Sequence, residues 1–166
     1  VIVDRRGGKA AFLDRDGVLT RAYVDVTGTR PARTWDEVEP LPGALGSVEI
    51  LRRKGYDIVI VTNQPDVRRG VVSPYFGEAV NDRVKAFFGA ALYACYHDER
   101  DACDCRKPMP GLIVRAAADR LIDRSRSILI GDRITDFQAA ERAGVARPFL
   151  VMVNDPDHLR RIVEAL

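Results

Sequence analysis

The chain has 166 residues, 46% of them hydrophobic and 30% charged, with a formal net charge of +2. That is one domain of ordinary size with enough apolar material for a core. The charge is too small to argue for nucleic acid or a membrane surface as a partner, and no apolar run approaches the ~20 residues of a membrane span.

Residues 1–9 lack the long apolar core of a signal peptide, so the cytoplasm is the expected compartment. The chain starts at Val1 rather than Met, which suggests a trimmed or processed start. Residues 9–14 read as a buried strand ending in an acid. Segment 20–42, with Gly28, Pro31, Pro40 and Pro42, has little periodicity and is expected to be a loop or small hairpin overhanging the strand ends. Residues 43–54 read as a helix with an apolar stripe of Leu45, Val48, Ile50 and Leu51, stopped by Gly55. Residues 57–62 contain Ile-Val-Ile-Val, apolar at every position, as suits a strand covered on both faces of a parallel sheet. A helix over 73–90 follows, with Ser73 as N-cap and Pro74 at its first position. Residues 92–95 form a weaker strand, 110–122 a helix, 127–130 a strand, 135–143 a helix closed by Gly144, 149–153 a last strand and 156–166 a terminal helix. The alternation predicts a doubly wound, three-layer α/β fold with a parallel sheet, in one domain spanning 1–166. Ligands of such sheets bind outside the carboxyl ends of the strands.

Chemically loaded residues fall at those ends. Asp14 and Asp16 sit two apart after the first strand, with Gly17 permitting a sharp turn. Such a pair suits a nucleophile that attacks phosphorus and an acid that protonates the leaving oxygen. The alternative is an acidic turn or a calcium loop. Thr62 and Asn63 can donate to phosphate oxygens, or merely cap a turn. Lys107 offers a point cation, although most lysines are simply solvated. Asp132 and Asp136, in Gly131-Asp132-Arg133-Ile134-Thr135-Asp136, could help hold Mg²⁺ with substrate phosphate; alternatively Thr135 or Asp136 caps the helix over 135–143.

All three cysteines lie near one of the two histidines, in residues 95–105. Cys95-x-His97 and Cys103-x-Cys105 are two ligand pairs joined by a short loop, the donor set of a tetrahedral structural zinc in a reducing compartment. The bland alternative has Cys95 in a strand, His97 on the surface and two free thiols. Four ligands leave no open position, so the zinc is expected to clamp a loop that delivers Arg106 and Lys107. The other histidine, His158, is expected at the surface.

Taken together and in this order, the four spots resemble the haloacid dehalogenase superfamily of phosphohydrolases. Phe-Leu-Asp-Arg-Asp-Gly, Val-Thr-Asn-Gln and Cys-Asp-Cys-Arg-Lys-Pro are similar to its zinc-containing heptose bisphosphate phosphatase group, with histidinol-phosphate phosphatases close by. The likeness runs from about Ala10 to about Val153. It implies a Rossmann-like domain and an aspartyl-phosphate on Asp14, which also binds Mg²⁺. Asp16 would be acid and then base, its backbone carbonyl touching the metal. Thr62 and Lys107 would hold the phosphoryl group, Asp132 would complete the Mg²⁺ shell, and Asp136 would act indirectly. Asn63, Arg69, Arg106 and Arg133 would ring the mouth; positions matching Asn63 and Arg106 contact substrate in the resembled group. Arg68 is as readily a solvated charge at a helix start.

The sequence departs from that group at Asn63-Gln64-Pro65-Asp66 and at Thr27-Gly28-Thr29-Arg30-Pro31-Ala32-Arg33, both expected to face the substrate. No span is long enough for a separate cap domain, so an open site is expected, with selectivity coming from segment 20–42 and the Cys/His loop. The resulting expectation is a monomeric phosphatase acting on a small phosphorylated metabolite, a sugar bisphosphate such as D,D-heptose 1,7-bisphosphate. Histidinol phosphate or another small metabolite is the alternative. A non-catalytic receiver-like module would lack the acid at Asp16. A nucleic-acid 3′-phosphatase would carry an aromatic-basic stripe, which is missing.

Overall fold

A computed structural model describes residues 7–26 and 28–166. The stretch 1–6, expected to lack a signal core, and Thr27 of the divergent loop lie outside them. Five parallel strands form the central sheet: β1 (Ala10–Leu13), β4 (Asp57–Asn63), β5 (Ala91–Cys95), β6 (Ile128–Gly131) and β7 (Arg147–Leu150). Their order is β5-β4-β1-β6-β7. The chain moves outward from β1 through β4 to β5, then returns to β1's other side for β6 and β7. The strand order therefore reverses at β1, and such a reversal opens a crevice at the carboxyl ends.

Alternation along the strands divides the core into two layers. Ala11, Leu13, Ile58, Ile60, Ile128 and Ile130 face one cluster, which includes residues of α1 (Ala44–Arg53), α3 (Pro74–Phe88) and α6 (Pro156–Ala165). Ala10, Phe12, Val59, Val61 and Leu129 face the other, under α4 (Gly111–Asp119) and α5 (Ile134–Ala143). The three-layer doubly wound expectation is borne out. Among the described residues, no helix is long and apolar enough to cross a membrane.

Ser73 caps α3 as expected, accepting from the Phe76 N–H at 3.1 Å, with Pro74 next. The stripe on α1 shifts. Leu45 is 47% exposed, and Ala44, Ser47, Val48 and Leu51 are the buried face. Starting the helix at Ala44 makes that i, i+3, i+4, i+7 set the inward one. The last strand ends at Leu150 rather than Val153. Beyond it the Asn154 N–H turns away to donate to the Gly17 carbonyl at 2.8 Å. Segment 20–42 contains a hairpin of β2 (Tyr23–Asp25) and β3 (Gly28–Arg30). The sequence reading had no element over α2 (Pro65–Arg68), whose four residues are too few to show a period.

Candidate active site

Asp14 leaves the end of β1, its N–H donating to the Ile130 carbonyl at 3.0 Å. Lys107 arrives from the loop after β5. Its Nζ lies 2.6 Å from Asp14 Oδ1 and 2.6 Å from Asp136 Oδ1, and donates to the Val61 carbonyl at 2.9 Å. All three side chains are buried. Burial works against the Lys107 charge, but Asp136 and Asp14 more than offset it, so the ammonium is held above its ordinary value. Asp14 goes the other way. Burial pushes it up to about 8; Lys107 opposes the rise, while Asp136, Asp132 and Asp16 add to it. One ammonium is shared among too many carboxylates.

Asp132 follows β6. Burial, and then the Asp136 charge, push it up to about 6. Its Oδ1 is buried with no hydrogen-bond partner. Oxygens of Asp14, Asp132 and Asp136 lie within 4.8 Å of one another. An orphaned carboxylate oxygen beside two further buried acids is a hard-oxygen donor set short of positive charge, and Mg²⁺ fits it. Asp136 has both oxygens engaged, Oδ1 by Lys107 and Oδ2 by the Arg133 N–H at 3.0 Å. That agrees with an indirect part. The acids come this close because Gly17 and Gly131 have no side chain. A Cβ on Gly17, where φ is +92°, would meet Asp132 Oδ2 at 2.6 Å, and one on Gly131 would meet Asp136 Cβ at 2.3 Å.

Asp16 opens to the same cleft. Gln64 joins it to Thr62, its Nε2 donating to Asp16 Oδ2 at 2.7 Å and Thr62 Oγ1 at 2.8 Å. Asn63 uses both ends of its amide on the Lys107 backbone, donating to the carbonyl and accepting from the N–H, each at 3.0 Å. In this structure it positions Lys107, though it also lines the cleft.

The cleft holds about 630 Å³. Arg69, Arg106 and Arg133 all line it, as expected, and Arg68 does not. Arg69 Nη2 and Arg106 Nη2 converge on Glu99, at 2.7 Å and 2.5 Å. Arg133 donates through Nη2 to the Thr29 carbonyl and hydroxyl, tying α5 to the hairpin. The hairpin region adds Thr29, Arg30 and Arg33, and Arg33 Nε donates to the buried Asp66 at 2.8 Å. Gln64, Glu99, Arg30 and Arg33 went unassigned in the sequence. Gln64 had a local signal there, as part of Val-Thr-Asn-Gln, and Arg30 and Arg33 lay in the divergent stretch expected to face the substrate; Glu99 had none.

The four soft donors converge. Sulfur separations are 3.1 Å for Cys95–Cys105, 3.5 Å for Cys103–Cys105 and 3.7 Å for Cys95–Cys103. His97 Nδ1 lies 3.5 Å from Cys95 Sγ and 3.3 Å from Cys105 Sγ. These are too long for a disulfide. They approach the ~3.8 Å edge of a tetrahedron with ~2.3 Å Zn–S bonds, so the donor set fits zinc. The Arg106 N–H donates to Cys103 Sγ at 3.3 Å, and Arg106 Nη1 to the His97 carbonyl at 3.3 Å. His158 is half-buried at the surface, its Nδ1 accepting from the Met152 N–H at 3.2 Å.

The family model for haloacid dehalogenase-like hydrolases matches residues 28–144. The chain belongs to this family. The expected phosphomonoester hydrolase class is borne out by relatives named as phosphatases. One from Haemophilus ducreyi, a D-glycero-beta-D-manno-heptose-1,7-bisphosphate 7-phosphatase, is 34% identical, covering 87% of this chain and 84% of its own. Another from Photorhabdus laumondii, named for the alpha anomer, is 32% identical over 89% and 85%. Among solved structures, D,D-heptose 1,7-bisphosphate phosphatase from B. bronchiseptica, complexed with magnesium and phosphate, superimposes with a TM-score of 0.72 at 32% identity, covering 95% of this chain and 86% of that one. Haloacid dehalogenase phosphatases use Mg²⁺, and the carboxylate cluster agrees with that.

Proposed function

We propose that this haloacid dehalogenase-like hydrolase removes a phosphate from a sugar bisphosphate, namely the 7-phosphate of a D-glycero-D-manno-heptose 1,7-bisphosphate. The observation that carries the chemistry is the buried Lys107 Nζ, held 2.6 Å from Asp14 with Asp16 facing the same cleft. The names of the relatives support the substrate.

In the proposed mechanism an Asp14 carboxylate oxygen attacks phosphorus while the bond to the sugar oxygen breaks. Asp16 gives that oxygen its proton. Lys107 and Thr62 hold the phosphoryl oxygens, and Lys107 favours the ionised form of Asp14 against the burial and carboxylates that raise it. Asp16 then takes a proton from water, whose oxygen attacks phosphorus. The bond to Asp14 breaks, releasing phosphate and restoring both acids. Asp14, Asp132 and the Asp16 backbone carbonyl would hold Mg²⁺, which supplies charge neutralisation when bound; Asp136 acts through Lys107. Positioning and neutralisation carry most of a phosphoryl transfer.

Asn63, Arg69, Arg106 and Arg133 are proposed to face the rest of the sugar phosphate. Cys95, His97, Cys103 and Cys105 are proposed to hold a structural zinc in the loop 95–105. A single-domain monomer in the cytoplasm completes the reading, a reducing compartment suiting the unpaired thiols. In the test, Asp14→Asn abolishes phosphate release from every substrate, and retained turnover sinks the mechanism. Across both heptose bisphosphate anomers, other sugar phosphates and histidinol phosphate, kcat/KM is highest for a heptose bisphosphate. A preference for histidinol phosphate overturns the substrate while leaving the reaction class.

A further inference from the structure

Among the described residues, the largest fully buried side chain is a charged one. Arg15, between the two motif acids, is 2% exposed. A buried guanidinium is costly unless its donors are met. Arg15 Nε lies 3.2 Å and 3.1 Å from the two carboxylate oxygens of Asp16, and Nη2 lies 3.0 Å from Oδ2. Nη1 donates to Asn81 Oδ1 at 2.6 Å. Asn81, buried on α3, donates in turn to the Tyr96 hydroxyl at 2.8 Å. Tyr96 stands between Cys95 and His97. The Arg15 carbonyl accepts from the N–H groups of Leu19 and Thr20, which pins the turn from behind.

The geometry points to Arg15 as the positioning residue of Asp16, with Asn81 and Tyr96 holding Arg15. The inference rests on the acid/base reading of Asp16. A planar fork fixes a carboxylate in orientation as well as place, which a point cation does not. Without it Asp16 keeps two neutral donors, Gln64 Nε2 at 2.7 Å and Thr20 Oγ1 at 3.3 Å. The chain Tyr96–Asn81–Arg15 also runs from the Cys/His loop to Asp16, so that loop supports the acid on one side and Lys107 on the other.

A misplaced acid should matter only where a proton is needed. A sugar oxygen leaves poorly without one; p-nitrophenolate leaves well as the anion. The measurement is kcat/KM, which reports the first phosphoryl transfer, on a sugar phosphate and on p-nitrophenyl phosphate. Arg15→Met should lose about 100-fold on the sugar phosphate, through kcat rather than KM, and under about threefold on the aryl phosphate. Arg15→Lys should recover part of the loss. Tyr96→Phe and Asn81→Ala should show the same selectivity in smaller measure, and they carry the test if Arg15→Met does not fold. Equal losses on both substrates, or none, overturn the inference. Asp16→Asn separates it from its premise. If that variant is itself unselective, the acid reading fails and this inference with it. If Asp16→Asn is selective and the Arg15 series is not, the inference alone fails.

Discussion

Asp14 is raised from an ordinary 3.8 to about 8, by burial first and then by neighbouring carboxylates. Asp132 rises to about 6 for the same reasons. The direction of the consequence follows from proton counting. Between about pH 4 and 8 the folded, metal-free protein binds more protons here than the unfolded chain does, so stability falls as pH rises through that window. The contribution is fully present below about 4. A cation that selects the ionised acids works against this trend, since binding only the folded state stabilises it. Without metal, Tm should therefore drop between pH 5.5 and 8.5, and millimolar Mg²⁺ should restore more at the higher pH. Thermal scans with chelator and with Mg²⁺ at both values decide it. An equal Mg²⁺ effect at the two would mean these carboxylates are not where the ion binds.

The convergence of the Cys/His donors was the easiest feature to read from sequence, because all four lie within eleven residues and the spacing itself carries the chemistry. β4 and β6 were equally plain, each built on a short unbroken apolar run, Ile58–Val61 and Ile128–Ile130. The hairpin's contribution was not. Its strands have three residues each, and Arg33 finds Asp66 thirty-three positions away. Gln64 reaches Asp16 across forty-eight. No window of sequence holds such pairs, so the cleft's walls were less legible than its floor. Apart from the proposed ion site, the loop's backbone is tied on both sides of Lys107. The Gln64 N–H donates to the Cys95 carbonyl at 2.7 Å at its start, and the Gly111 N–H to the Asp104 carbonyl at 2.9 Å near its end. Chelation under reducing conditions should release about one zinc per chain, as for a closed four-ligand site. Hydrogen exchange should quicken over residues 95–107 while β1, β4 and β6 stay protected, since the loop adds only Cys95 and Cys105 to one core layer, and the strands with α4 and α5 supply most of the rest. Turnover should fall at least about tenfold, a modest misplacement of a catalytic cation being enough. Metal-free protein with unchanged exchange over 95–107 would refute the clamp.

At the scale of the whole molecule, a net charge of +2 gives almost no overall pull on an anion. What matters is where the charge lies. The reversal of strand order at β1 gathers strand ends from both halves of the sheet, and six of the cationic side chains line the resulting cleft against five carboxylates. Bound Mg²⁺ tips that balance clearly positive. A bisphosphate, with about twice the negative charge of a monophosphate, should then feel the cleft from outside about twice as strongly, over distances near the ~10 Å screening length at 0.1 M salt. At fixed Mg²⁺, raising KCl from about 20 to about 300 mM should lower kcat/KM for both substrates. The slope of its logarithm should be roughly twice as steep for the bisphosphate. Arg69 and Arg106 are the sharpest point of this argument, because each is already paired with Glu99. If those pairs neutralise the mouth, the two substrates will respond to salt alike. Selectivity for a second phosphate then arises only after contact, when that group displaces the Glu99 carboxylate.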